Sequence, residues 1–254
     1  MALQIGSALQ EAGHRLLSRT GALLLGAFLV LMIGFQTLFN SIFAAAYARL
    51  GSGEIASALP LTVDIPIAVA GAGLAVGMVV SLYLTIVTFR TFVTGTRDRF
   101  PEGAFTRNIP RAMVNSLIGG LVYGLLMFIG SLLFVIPGIF AYVVFIFTMP
   151  YIVVADQNFI AAFKESYRLT EGNRLALFGL LVIVIAASGF IGGIAGLVGA
   201  LALSPPASQL VTVVIQAPVS LYSTAVIAVA FEQLWDADEM PPSTPSEAGT
   251  PTTA

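Results

Sequence analysis

The sequence predicts an all-α polytopic membrane protein with six transmembrane helices in three hairpins and cytoplasmic amphipathic segments. Of its 254 residues, 57% are hydrophobic and only 9% are charged, whereas soluble domains carry about 25% charged residues. Several apolar runs also exceed the roughly 18 residues that mark a membrane-spanning helix. These runs do not alternate apolar with polar residues, so they do not match the strands of a membrane β-barrel.

The composition also narrows the classes of function. The chain has no cysteine, which excludes disulfides, thiolate catalysis and sulfur-ligated metals. A formal net charge of −2 offers nucleic acid no basic surface to bind. We therefore expect the partners to be the lipid bilayer and a lipid or membrane protein within it, and no nucleic acid.

The first segment is predicted to be an amphipathic helix over residues 2–19. Its apolar residues recur at helical spacing on one side, at Ile5, Ala8, Leu9, Ala12 and Leu16. Such a helix lies in the membrane interface, either as a stop against the lipid headgroups or as a contact for a lipid or partner. The apolar run that follows is longer than the about 7–15 residues of a signal peptide, so we interpret it as an uncleaved first span.

Six spans follow one another along the chain. The predicted spans are residues 20–47, 65–89, 112–136, 137–155, 175–203 and 207–231. The Ile136-Pro137-Gly138 sequence favours a tight hairpin, because proline is tolerated at the first helical position. Pro218 is expected to kink the sixth span. Residues 1–235 thus form the transmembrane domain, and residues 236–254 form an acidic, Pro- and Thr-rich tail predicted to be disordered and cytoplasmic.

The basic residues predict the orientation. Ten of the eleven Lys and Arg residues lie in or beside the segments that precede spans one, three and five, and only Arg49 lies in a loop on the other side. The positive-inside rule then places both termini in the cytoplasm, with the protein in the cell membrane. The basic segments 2–19, 97–111 and 156–174 each precede a pair of spans, which indicates a loose threefold repeat.

No residue pattern indicates an enzyme. His14 is the single histidine, and it lies on the polar face of the first helix beside Glu11 and Arg15. Nucleophilic catalysis needs a base, a nucleophile and an orienting group, and the carboxylates lie in loops, at helix ends and in the tail rather than in the middle of a span. We therefore expect no catalytic, cofactor-binding or metal-ligating residue.

Amides and hydroxyls on the spans leave two interpretations open. The residues predicted to line a polar path are Gln36, Asn40, Ser81, Thr85, Thr212 and Gln216. If these side chains face one another, the protein is a permease or transporter of a small solute or lipid. If they only form hydrogen bonds between helices, the protein is a non-enzymatic scaffold or accessory membrane module. The lack of a charged residue in mid-span favours the second interpretation.

The stretch 130–173 carries a family resemblance. It combines the Ile-Pro-Gly hairpin, an apolar helix that ends near Pro150 and the amphipathic segment 161–172, which leads into a new span. It resembles a broad group of uncharacterised polytopic membrane proteins, which includes haloarchaeal proteins of unknown function and the membrane domain fused to some glycerophosphodiester phosphodiesterases. The resemblance is best over residues 97–235 and implies six helices in a bacterial or archaeal cell membrane. It carries over no catalytic residue, because the histidines of the soluble phosphodiesterase domain have no counterpart in this sequence.

Overall fold

Ten helices and no strand make up the described part of the chain. The computed structural model describes residues 3–133 and 135–235. In chain order the helices are α1 (Ile5–Leu16), α2 (Arg19–Arg49), α3 (Gly53–Ala58), α4 (Ile67–Val93), α5 (Ile109–Leu133), α6 (Val135–Val144), α7 (Thr148–Val153), α8 (Phe159–Leu169), α9 (Arg174–Ala202) and α10 (Pro205–Leu234). The tail predicted over 236–254 lies outside the described residues.

Six helical segments are long and apolar enough to cross a membrane. They are α2, α4, α5, α6 together with α7, α9 and α10. Large apolar side chains cover their outer surfaces; Leu121, Phe128 and Phe190, for example, are 68%, 66% and 70% exposed. Soluble proteins rarely expose continuous apolar surface of this extent, so these faces suit lipid. The predicted all-helical architecture with six apolar segments is thus confirmed.

Consecutive spans pack against each other. The main contacts join α2 to α4, α5 to α6, and α9 to α10. Between α5 and α6 the two backbones meet at Gly130 and Gly138, where a Cβ on Gly130 would lie 2.9 Å from the Gly138 Cα. A larger residue would push these two helices apart. Helix α10 also contacts α1, α2 and α4, so it links the amphipathic first helix to three of the spans.

The buried core lies toward one end of the bundle, which we call the basic end. This end holds α1, α8 and the loops 94–108 and 154–158, which are joined by the contacts described below. The buried residues of the spans concentrate nearby, in the stretches 86–93, 177–184 and 225–235. The backbone N–H of Gln4 donates to Oε1 of Gln233 over 3.1 Å, so the first and last described segments meet at this end.

The fourth span differs from the single helix predicted over 137–155. It is broken, because α6 ends at Val144 and α7 begins at Thr148. Pro150 has no N–H to donate to the carbonyl four residues earlier, and its ring clashes with that carbonyl. The break therefore falls about one turn before the proline. Pro218 does not break its helix, since α10 continues through it; the kink expected there stays a prediction.

The other predicted boundaries shift by a few residues. Helix α1 ends at Leu16 rather than at residue 19, because the chain turns sharply into α2. At the turn, Ser18 Oγ accepts a hydrogen bond from the Gly21 N–H over 3.1 Å, and a Cβ on Gly21 would overlap the Leu16 carbonyl oxygen. Only glycine fits this turn. Helix α5 runs over Ile109–Leu133, three residues earlier at each end than the predicted 112–136.

Candidate functional site

Two of the predicted lining residues, Gln36 and Asn40, meet in an amide cluster far from the basic end. Gln36 Nε2 donates to Asn40 Oδ1 over 3.0 Å. The Asn40 amide donates to the Pro60 carbonyl over 2.6 Å and to Gln209 Oε1 over 3.0 Å, and Asn40 is 6% exposed. The cluster thus joins α2, the loop before α4 and the start of α10. Gln209 was not among the predicted lining residues.

The other four predicted residues do not join this cluster. The Thr85 hydroxyl donates to the Ser81 carbonyl over 2.8 Å, within α4. Thr212 donates to a carbonyl of its own helix over 2.9 Å, and both Thr212 and Gln216 are exposed. Among the described residues, no hydrogen bond links the Gln36–Asn40 pair to Ser81 and Thr85 of α4 or to Thr212 and Gln216 of α10. That the six side chains line one path stays a prediction.

A first buried arginine, Arg15, holds α1 against the bundle. It is 6% exposed, its Nε lies 2.9 Å from Glu11 Oε1 and one terminal nitrogen lies 2.5 Å from Glu232 Oε2. The other terminal nitrogen donates to the Phe92 carbonyl at the end of α4. One side chain therefore ties α1 to both α4 and α10.

Glu11 carries this ionic network on to the 94–108 loop. Its carboxylate accepts hydrogen bonds of 3.0 and 2.9 Å from Arg97. Partial burial, the largest single influence, raises the pKa of Glu11, but the hydrogen bonds and charges of Arg15 and Arg97 together outweigh it and leave the pKa lowered. The carboxylate is therefore held in its ionised form between two guanidinium groups.

A second buried arginine, Arg90, caps the end of the broken span. It is 4% exposed, and its Nε donates to the Val153 carbonyl over 2.7 Å. Arg107 donates to the Val154 carbonyl over 2.6 Å. Asp156 lies between the two, 3.5 Å from Arg90 and 3.1 Å from Arg107. The last carbonyls of a helix have no partner within the helix and carry partial negative charge, so two guanidinium groups stabilise this end of α7.

Helix α8 is inserted into the break between α6 and α7. Ser166 is fully buried; its hydroxyl donates to the Val144 carbonyl over 2.8 Å and accepts from the Phe147 N–H over 3.2 Å. Beside it the ring centroids of Phe145 and Phe163 lie 5.0 Å apart. Backbone groups freed by the break therefore find their partner on an amphipathic helix.

These arrangements join helices through buried charges and hydroxyls. Both buried arginines bind carbonyls and carboxylates of the protein itself. His14 lies exposed on α1. Within the described ranges, no three His, Asp or Glu side chains lie close enough together to hold a metal ion. The basic end can thus fix helices in position and present a charged surface.

Sequence reasoning missed the residues that anchor this end. Arg90 lies just past the predicted limit of the second span, and the partners of Arg15 on other helices are distant in sequence. A signal for Ser166 was present, because Ala162 and Ser166 are small residues four apart and so mark a closely packed face of α8. Both are fully buried.

Comparison with known proteins places the chain in an uncharacterised family. A family model described as "Domain of unknown function (DUF7847)" matches residues 3–234. No curated protein matches the chain, and no solved structure does either.

Proposed function

We propose that this chain, which belongs to the family described as "Domain of unknown function (DUF7847)", is a non-enzymatic membrane module that serves as a scaffold or accessory protein. The observation that carries the proposal is that Arg15 and Arg90 are buried and bind other parts of the chain. Each is nearly fully buried, and each binds groups on several elements of the chain. Burying a charge is costly unless it is paired, so such contacts belong to a rigidly held assembly.

The proposed arrangement is three helical hairpins, each preceded by a basic segment on the cytoplasmic side. Ten of the eleven Lys and Arg residues in or beside those segments support this orientation through the positive-inside rule. The contact between Gln4 and Gln233 supports an even number of crossings between them. We further propose the cell membrane of a bacterium or archaeon as the location, in line with the resemblance of residues 97–235.

A scaffold needs a surface for its partner, and the polar faces of α1 and α8 supply one. Lys164 and Arg168 of α8 and His14 of α1 are exposed, while the opposite faces of both helices are fixed to the spans. Because these faces are charged and rigid, a membrane protein or anionic headgroups next to the module are the expected partners.

Photocrosslinking in intact cells tests the scaffold role. A benzophenone amino acid is placed at Lys164 on the polar face of α8 or, as a control, at Leu121 on the lipid-covered face of α5. The expected result is a discrete crosslinked protein from residue 164 and none from residue 121. Absence of a discrete product from residue 164, and from a second probe at Arg168, would contradict the scaffold role.

Flux into proteoliposomes tests the permease interpretation. A scaffold leaves the flux of small solutes and fluorescent lipids at the level of protein-free vesicles. Flux that Asn40→Leu abolishes and Thr212→Val preserves would instead establish a path through the amide cluster.

The orientation is checked in the cysteine-free chain, where single cysteines at Glu54 and Lys164 are expected to be labelled from opposite sides.

A further inference from the structure

A pocket of about 250 Å³ lies where α4, α5, α10 and the broken fourth span meet. Aromatic rings form much of its wall, from Phe89, Tyr123, Tyr142 and Phe145. It is open to one side. Gly120 lies on its rim, since it is exposed and a Cβ there would meet no atom within 4 Å. The pocket is therefore apolar, preformed and accessible.

One hydroxyl buried in the wall of this pocket lacks a partner. Thr148 lines the pocket and is 5% exposed, and its Oγ1 makes no hydrogen bond to any described residue. In α4, by contrast, Thr85, Thr88 and Thr91 each donate to the carbonyl four residues earlier, over 2.7 to 2.8 Å. An unpaired buried hydroxyl is unusual in a folded protein.

The break in the fourth span explains why this hydroxyl is free. Thr148 is the first residue of α7, so the carbonyl four residues earlier belongs to α6 and is not one helical turn below it. That carbonyl, of Val144, accepts from Ser166 over 2.8 Å instead. A second hydroxyl in the pocket, that of Tyr123, has only a long contact of 3.5 Å to the Tyr142 carbonyl, at the limit of a hydrogen bond.

We propose that this pocket binds a carbonyl-bearing lipid, whose oxygen accepts hydrogen bonds from Thr148 and Tyr123 and whose hydrocarbon body packs against the aromatic wall. Both hydroxyls can donate, and a carbonyl oxygen is the acceptor that a hydrophobic molecule brings into such a site. Neighbouring residues on α5, Leu117 and Leu121, are 58% and 68% exposed, so the ligand enters sideways from the bilayer. This site is independent of the proposed scaffold role.

The size and shape of the pocket agree with this chemistry. A cavity of about 150 Å³ holds one benzene ring, so about 250 Å³ admits a two-ring system or a folded length of acyl chain. Two kinds of membrane lipid share the required carbonyl: prenylated quinones and the fatty-acyl esters of phospholipids. The aromatic wall accepts either, because rings stack with flat ligands and pack well against methylene groups.

Native mass spectrometry of the full chain in detergent tests the proposal. Three probes are titrated: a short-chain prenyl naphthoquinone, a diacyl phosphatidylglycerol and its dialkyl ether analogue, which lacks the carbonyl. The unaltered protein is expected to bind the quinone or the ester about tenfold more tightly than the ether lipid, the loss expected for one hydrogen bond. Which of the two binds identifies the source of the carbonyl.

Two pairs of variants locate the site. Gly120→Leu fills the rim and is expected to weaken binding at least tenfold, whereas Gly124→Leu, one turn along the same helix and also in open space, leaves it unchanged. Thr148→Val keeps the shape, removes the hydroxyl and is expected to reduce affinity about tenfold; Thr85→Val is its control. Unaltered thermal unfolding shows that each variant is folded.

Three results would overturn the proposal. The first is that neither carbonyl lipid binds more tightly than the ether lipid. The second is that Gly120→Leu binds as well as Gly124→Leu. The third is that Thr148→Val has no more effect than Thr85→Val. None of these depends on whether α8 contacts a partner, so they are separate from the tests of the scaffold role.

Discussion

Helices α1 and α8 are similar in sequence pattern and in their place before a long span. Each is amphipathic, each starts immediately after a polar N-cap residue, and each precedes a long span, α2 or α9. The sequence ALQEA of residues 8–12 aligns with AFKES of residues 162–166. In that alignment Ala12 corresponds to Ser166, and both are fully buried.

The two helices are held by different means. Helix α1 packs on the continuous α10, to which it is bound by the ion pair of Arg15 with Glu232 and by a hydrogen bond of 3.0 Å from Tyr222 Oη to the Leu9 carbonyl. Helix α8 packs on the broken span, where Ser166 binds backbone groups directly. In the interior of an unbroken helix each backbone N–H and carbonyl already has a partner within the helix, and α10 binds α1 through its side chains Glu232 and Tyr222. Whether the partner helix is continuous or broken therefore determines which residue types anchor an amphipathic helix.

The largest expected effect comes from removing Arg15. Arg15→Met leaves Glu232 and the Phe92 carbonyl without their partner, and we expect a loss of about 3–5 kcal/mol in the free energy of unfolding. Unfolding by SDS is followed through the fluorescence of Trp235, the single tryptophan. The control is Arg168→Met in α8, an arginine with a 68% exposed side chain paired to Glu165, where less than about 1 kcal/mol is expected. Equal losses from both changes would contradict this account of α1.

The next effect concerns Ser166. Ser166→Ala leaves the Val144 carbonyl and the Phe147 N–H unpaired, and we expect a loss of about 1–3 kcal/mol, measured in the same way. Ser57→Ala on α3, an exposed serine whose hydroxyl bonds only to the Glu54 carbonyl, serves as the control, with a change within about 0.5 kcal/mol. The reverse exchange, Ala12→Ser, is expected to add no stability, since α10 offers it no free backbone group. A neutral Ser166→Ala would mean that apolar packing alone holds α8.

A smaller difference is expected at the helix starts. The Asn158 side chain accepts from the Ala161 N–H over 2.9 Å, whereas Gln4 makes no such cap on α1. Asn158→Ala is expected to cost about 0.5–2 kcal/mol, and Gln4→Asn to add up to about 1 kcal/mol. Amide hydrogen exchange in the first turn of each helix measures the change locally. Faster exchange at α1 in Gln4→Asn would be the contrary result.

The smallest effect is a dependence on pH that is confined to α1. The pKa of Glu11 is lowered from its ordinary value of 4.5, so its ionised form stabilises the folded state above that pH. This contribution is lost as the pH falls from 4.5 through the lowered pKa. In Glu11→Gln we expect the free energy of unfolding to lose this dependence on pH in the acid range. In Arg97→Gln we expect the dependence to be weaker but still present. A profile that steepens in Glu11→Gln would contradict the assignment.

Much of the fold was predictable, because the length and composition of apolar runs suffice to identify spans. Five of the six predicted spans agree with helices to within about four residues at each end. The fourth, predicted as one helix over 137–155, is broken between Val144 and Thr148. Proline disturbs the turn before it, and α7 continues beyond it to Val153.

The contacts at the sites were far less predictable. Gln36 and Asn40 share a face because they are four residues apart on one helix, which sequence spacing reveals. Gln209 joins them across 169 residues of sequence. The pairing of Arg15 with Glu232 likewise depends on how α1 packs against α10, and periodicity carries no information on such packing. The pocket at Thr148 depends on how α4, α5 and α10 pack around the break, and sequence spacing does not reveal that packing.

The joining of Leu9 to Tyr222 also has a consequence for biosynthesis. The two residues are 213 positions apart, and ribosomes add about 5–20 residues per second. Helix α1 therefore waits about 10–40 s after its own synthesis before its docking surface on α10 exists. During that time its apolar face can be covered by the membrane interface and by α2, which it also contacts. A chain built in this way completes its fold with its first helix last.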